Sequence, residues 1–271
     1  MGTGSGIRRG LGQITLGLAV LIGLLIPGQG YAAGPQSDFA DWSALVVAGD
    51  WHAHSGAPSE VFDNARRDIA KALITAGFDP LNVAQFSVRP EQYRAPKPYL
   101  THLQGLFETL DRAPATARGG CLVYLTSHGS PLGIVFGDTV LTPAMLGAML
   151  DQTCGQRPTI AVISACYSGV FVNPLARPNR MILTAARPDR TSFGCGENDV
   201  YTYFDTCFLS QLFQAQDFSA LATEVQNCIS LREQTTGVSP ASEPQLYLGA
   251  QIRPLLALLQ LDNSPIKAAR R

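Results

Sequence analysis

The chain has 271 residues, 46% of them hydrophobic, and 20 Lys and Arg against 21 Asp and Glu for a formal net charge of −1. That is enough chain for a substantial core, and the near-balanced charge gives no electrostatic reason to expect nucleic acid or anionic lipid as a partner. Six cysteines at spacings that include no C-x-x-C pair give little support to a cysteine-ligated zinc, and no cofactor is expected.

Arg8 and Arg9 make a positive n-region, residues 14–26 are almost unbroken apolar, and small residues (Gly30, Ala32, Ala33) surround Tyr31. The apolar stretch is short for a membrane span and ends at Pro27 and Gly28, so residues 1–32 read as a cleaved secretory signal, with an uncleaved anchor as the alternative. Removing them takes away two arginines and no acid, so the net charge moves from −1 to −3. An exported, periplasmic or extracellular chain can form disulfides, and all six cysteines lie downstream. Cys195 with Cys207 and Cys121 with Cys154 are candidate pairs among others; sequence does not choose the pairing.

Residues 33–41 read as a tether, 42–260 as the folded domain and 261–271 as a tail. Residues 43–48 (SALVVA) form a buried strand closed by Gly49 and Asp50, and 61–76 carry a helical apolar pattern stopped by Gly77. A second strand follows at 82–88 and a second helix at 98–110. Residues 121–127 are apolar on both faces, as a central parallel strand requires. Residues 133–141 read as a hairpin pivoting on Gly137 and Asp138, and Thr142 caps a helix at 143–151 with Pro143 at its first position. Strands at 160–165, 181–186 and 245–249 and helices at 202–214 and 219–232 complete the pattern. Strands alternating with helices predict an α/β domain around a mostly parallel six-stranded sheet.

In such a sheet, ligands bind beyond the carboxyl ends of the strands, where loops gather. His128 follows the third strand and Cys166 the fourth. If those strands are neighbours, thiol and imidazole emerge on one edge, where the imidazole can take the thiol proton and later protonate a leaving amine. Gly129 lets the backbone come close to a substrate, and its N–H with that of Cys166 would form an oxyanion hole.

The segments "LVYLTSHGS" and "IAVISACYSG" resemble the His-Gly and Ala-Cys signatures of the caspase-like cysteine peptidases, and "ILTAARPDRTSFGCGEND" narrows the resemblance to the legumain-like group. The likeness runs over roughly residues 46–249. It implies a caspase-like three-layer α/β/α sandwich with Cys166 as nucleophile, His128 as general acid/base, and Thr191, Ser192 and Phe193 along the wall where a peptide lies extended. Legumains carry an acidic residue two places before the nucleophile, where this chain has Ser164; Asp205 matches a second acidic residue of the primary pocket. Asn64 is the candidate for orienting the histidine.

"WHAH" sets His52 and His54 at a spacing compatible with a metal, but no carboxylate partner or HExxH accompanies it, so a solvent-facing loop is the preferred reading. Arg187 and Arg190 read as surface charges in salt contacts rather than as binders of an acidic substrate. Two functions remain: an exported cysteine endopeptidase, or transpeptidase, acting on peptides or proteins through an acyl-enzyme, and a catalytically silent peptide-binding module of the same fold.

Overall fold

A computed structural model describes residues 1–2, 37–94, 96–113 and 116–262. The expected signal segment lies outside the described residues. No described helix is long and apolar enough to cross a membrane.

The domain is built on a seven-stranded sheet. In chain order its strands are β1 (Trp42–Ala48), β2 (Val83–Ser87), β3 (Tyr99–Leu100), β4 (Gly120–Thr126), β8 (Thr159–Ser164), β9 (Arg180–Thr184) and β10 (Gln245–Leu248). A separate three-stranded ribbon of β5 (Gly129–Ser130), β6 (Gly133–Phe136) and β7 (Thr139–Leu141) stands between β4 and β8 in the chain. The strand order is β10-β9-β8-β4-β1-β2-β3, parallel throughout except for β10 against β9.

All seven residues of β1 are buried, so both faces of the strand are covered. The alternation of a pleated strand divides them: Ala44 and Val46 face one core and Leu45 and Val47 the other. The first core is closed by α1 (Val61–Thr75), α5 (Tyr203–Leu212), α6 (Phe218–Thr236) and α7 (Ile252–Leu256) through Ile69, Phe208, Val225 and Leu256. The second is closed by α2 (Leu103–Arg112), α3 (Pro143–Thr153) and α4 (Val172–Leu175) through Leu106, Leu110, Leu146 and Leu175. This is the expected three-layer sandwich.

The six expected strands are present; the seventh, β3, lies where the apolar pattern predicts the start of a helix. Residues beside Pro96 and Pro98 favour extended backbone, Tyr99 pairs with Phe86, and α2 begins only at Leu103. Its N-cap is His102, whose Nδ1 accepts the Gly105 N–H at 3.0 Å, a residue outside the usual capping set. The tether and tail boundaries also shift. Phe39 is fully buried, stacked on Phe78 at 5.0 Å and edge-on to Trp42 and Phe218, and Leu261 donates its N–H to the Gln216 carbonyl.

Two disulfides form. Cys121–Cys154 joins the start of β4 to the end of α3, and Cys207–Cys228 joins α5 to α6, with Cα separations of 6.2 and 5.7 Å. The suggested Cys195–Cys207 pair does not form: Cys195 and Cys166 are the free thiols. Crosslinking removes entropy from the unfolded chain. Replacing Cys207 and Cys228 together by alanine is expected to lower the unfolding free energy by about 2–4 kcal/mol, read from urea denaturation, with near-native activity retained below the new midpoint.

Candidate active site

The chain leaves β1 for β2 and β3 on one side, then returns to β4 on the other side of β1 and continues outward to β8 and β9. The order therefore reverses between β1 and β4, and a crevice opens beyond their carboxyl ends. Register aligns the rim: Ala48 pairs with Thr126, and Thr126 with Ser164. His128 and Cys166 each follow two residues after such a pair, so adjoining parallel strands carry them to the same edge. The Ser127 N–H continues the pairing onto the Ser164 carbonyl at 3.1 Å.

Behind Ser164 the chain turns sharply. Tyr167 is left-handed (φ 58, ψ 11), an uncommon conformation for a residue with a side chain, and its N–H is held by the Arg190 carbonyl at 2.8 Å. Pro188 packs so closely on Gly169 that no side chain fits there, and the buried Ser168 hydroxyl accepts the Ala186 N–H at 3.1 Å. Ser168 thus anchors the turn, and the half-buried Cys166 stands at its tip.

The Cys166 sulfur accepts the Ser192 N–H at 3.3 Å, with the Ser192 carbonyl at 3.6 Å and hydroxyl at 3.8 Å. Thr191, Ser192 and Phe193 therefore run beside Cys166, half-buried.

His128 packs its ring edge-on against Phe62 at 5.0 Å, and its Nε2 lies 3.0 Å from the His52 carbonyl. A carbonyl only accepts, so Nε2 carries the hydrogen and the neutral ring keeps its lone pair on Nδ1. The orienting group is thus a main-chain oxygen of the "WHAH" loop. Asn64 does not take that part: its amide donates to the Val200 carbonyl at 3.3 Å. The WHAH loop is no passive surface turn, although no cluster of three metal-binding side chains is found among the described residues.

Neither of the N–H groups expected as oxyanion donors, those of Gly129 and Cys166, is spent on the adjacent ribbon. Gly129 pairs with Ile134, while the neighbouring bond runs from the Val135 N–H to the His128 carbonyl at 2.9 Å. Gly129 is therefore in a pair that exchanges no ladder bonds, and its N–H points away from β6. No carbonyl or side chain among the described residues accepts the Cys166 N–H. The Cα of Gly129 lies against the Cys166 carbonyl, leaving no space for a side chain.

The two expected pocket residues, Asp205 and Ser164, are both buried. Asp205 is fully buried: its carboxylate accepts the Tyr124 hydroxyl at 2.7 Å and the Thr126 hydroxyl at 2.8 Å. Ser164 is buried as well, 3.2 Å from the Thr202 hydroxyl. Thr202 caps α5 by accepting the Asp205 N–H at 3.0 Å, so T-x-x-D is a helix-start signature here, with Asp205 turned into the floor beneath the strand ends. Burial pushes the Asp205 carboxyl up from its ordinary value, while bonds from Tyr124, Thr126, Ser164 and Thr202 pull the other way. The Tyr124 phenol is raised by burial and then by the Asp205 charge.

The second free thiol differs from the first. Cys195 packs on Ala48, Val61 and Phe62, and burial, then the nearby Cys166, pushes it up to about 11. Arg187 and Arg190 engage Asp189 at 2.6 and 3.1 Å, and Arg187 also engages Glu243 at 2.8 Å, as expected of surface pairs.

The Peptidase C13 family model matches residues 115–244, a span that holds both His128 and Cys166. Over that span the chain resembles the caspase-like peptidases of the legumain group. The fold agrees: caspase-1 from Spodoptera frugiperda superimposes with a TM-score of 0.57 at 17% identity, over 79% of this chain and 88% of that one. No curated protein matches the chain at a significant level. The match supports a cysteine peptidase in general terms and a protein or peptide as the substrate class.

Asp205→Ala leaves two buried hydroxyls without an acceptor and is expected to cost about 2–4 kcal/mol, whereas Asn64→Ala should stay within about 0.5 kcal/mol. Because the folded-state pKa of Asp205 is raised, its contribution favours the fold in acid and is lost as pH climbs through that raised value. Asp205→Asn removes this titration, so its stability relative to the parent should rise as pH climbs above the ordinary carboxylate range, measured by urea unfolding.

Proposed function

We propose that the protein is an exported cysteine endopeptidase in which Cys166 is the nucleophile and His128 the general acid/base. The observation that carries this reading is the pairing of strand ends that sets sulfur and imidazole on one rim, with Nε2 of His128 already engaged by the His52 carbonyl and Nδ1 left basic. In the reaction, Nδ1 takes the thiol proton, and the thiolate attacks the scissile carbonyl. The developing oxyanion meets the N–H groups of Gly129 and Cys166. The imidazolium then protonates the leaving amine, and water activated by the same nitrogen releases the acyl group. An amine in place of water turns the same acyl-enzyme to transpeptidation.

Export is supported by the signal-like segment at residues 1–32 and by two disulfides, which persist in oxidising compartments. The extended peptide would lie along Thr191, Ser192 and Phe193. With Ser164 and Asp205 both buried, the primary pocket draws no charge from either, so the residue before the cut is chosen by shape and neutral hydrogen bonding.

Cys166→Ala and His128→Ala are each expected to lower kcat/KM on a positional-scanning peptide library by at least about 10³-fold, and the double variant to be no slower than the worse single one, because nucleophile and base act as a unit. Cleavage by Cys166→Ala at the parent rate overturns the assignment of Cys166 as nucleophile, and a parent protein that cleaves no peptide favours the silent peptide-binding module. In the same library, Asp205→Asn should leave the preference before the cut unchanged; a shift in that preference would return Asp205 to the pocket.

A further inference from the structure

The loop after β1 is held in a way that a simple turn does not need. One oxygen of Asp50, Oδ1, accepts three hydrogen bonds, from the Trp51 N–H at 2.6 Å, the His52 N–H at 3.2 Å and His52 Nδ1 at 2.7 Å. The Asp50 side chain is only 12% exposed. The His52 ring lies on the Trp51 ring at 3.8 Å, and the Arg89 guanidinium is over Trp51 at 4.7 Å. Arg89 in turn donates to Glu60 at 2.7 Å and to the Ser59 carbonyl at 3.2 Å, next to the start of α1.

The peptide unit that follows is fixed from its other side. The Ala53 N–H donates to the Ala57 carbonyl at 2.7 Å, and the His54 N–H donates to the Cys195 carbonyl at 3.0 Å. The one group of this unit left to face the crevice is the His52 carbonyl, and it is the group on His128 Nε2.

We infer that Asp50 is a positioning residue for the nucleophile–base pair: it locks residues 51 and 52 so that the His52 carbonyl holds His128 in the Nε2–H tautomer, with Nδ1 turned to Cys166. This rests on the peptidase reading of the site. An Asx turn alone would use one or two main-chain N–H groups; the third bond, to the His52 ring, ties the side chain to the same oxygen and removes the remaining freedom of the residue whose carbonyl matters. A carboxylate makes these bonds stronger than a neutral acceptor would. The inference concerns the acceptor oxygen of the Asp50 side chain, since the His52 carbonyl itself belongs to the main chain and survives any substitution at position 52.

The test has one arm that needs no turnover. In the Cys166→Ala protein, the ¹⁵N shifts of the His128 imidazole should report a single Nε2–H tautomer, and adding Asp50→Ala should give a mixture of tautomers. The second arm uses the protein with Cys166 intact. Asp50→Ala should lower kcat by roughly 10–10²-fold with KM within about threefold, because misplacing a reacting group by about an ångström acts on the chemical step. Asp50→Asn, whose amide oxygen still accepts both main-chain N–H groups, should restore kcat to within about threefold of the parent.

An unchanged tautomer in Asp50→Ala overturns the inference, as does a raised KM with kcat intact. If circular dichroism shows Asp50→Ala unfolded, Asp50→Ser takes its place; its short hydroxyl keeps fewer bonds and should fall between parent and alanine, and a parent-like kcat and tautomer for it are equally fatal. A parent protein that cleaves no peptide sinks the peptidase reading, while the tautomer still decides about Asp50.

Discussion

Everything at the rim depends on β4 lying in parallel register between β1 and β8. Parallel strands end together, so three successive turns (one carrying the His52 carbonyl, one the His128 ring, one the Cys166 sulfur) come off a single edge without any long loop having to find its place. The cores on both faces keep that register, since a slip of one residue would turn Leu45 and Val47 into the layer that Ala44 and Val46 occupy. The geometry of the chemistry is thus inherited from packing several residues away from it.

The close approach of Gly129 to the Cys166 carbonyl is the local expression of the same constraint. Strand ends brought this near leave their N–H groups pointing into the crevice rather than into the ladder, which is what an oxyanion needs. The left-handed Tyr167 then turns the chain away at once, so the sulfur is presented and not covered by its own strand. Sulfur chemistry is confined to that point: four thiols are bonded to each other, and the sixth cysteine is held protonated by its apolar surroundings.

Much of this was legible in sequence because it follows from periodicity. Fully apolar runs at residues 43–48, 121–127 and 160–165 marked the central strands, and residues ending such runs are where an open parallel sheet keeps its sites. Side chains assigned to roles by resemblance fared less well. Asp205 and Asn64 sit near the expected elements, but whether a side chain faces crevice or core depends on helix rotation, which a one-residue change in the start of a helix alters by about 100°. The T-x-x-D pattern at Thr202 was the available hint that Asp205 belongs to a cap.

What was missed has a common cause. The orienting group on His128 is a main-chain carbonyl, which every residue owns and no sequence pattern marks. The rule that sites gather at strand ends, applied to β1 as it was to β4 and β8, would have pointed at "GDWH". The strain at Tyr167 and the partner of each cysteine likewise arise from contacts distant in the chain.

The covalent links have a further effect on the integrity of the molecule. Each lies in a different core, and Cys121–Cys154 brackets the whole stretch that contains His128 and the β5–β7 ribbon. A nick anywhere in that bracket, whether made by another protease or by a second copy of this one, yields two fragments that stay tethered until they are reduced. Damage at the exposed turns of the ribbon, Pro131–Leu132 and Asp138, therefore separates on a reducing gel long before it disperses the half-sites that the ribbon connects.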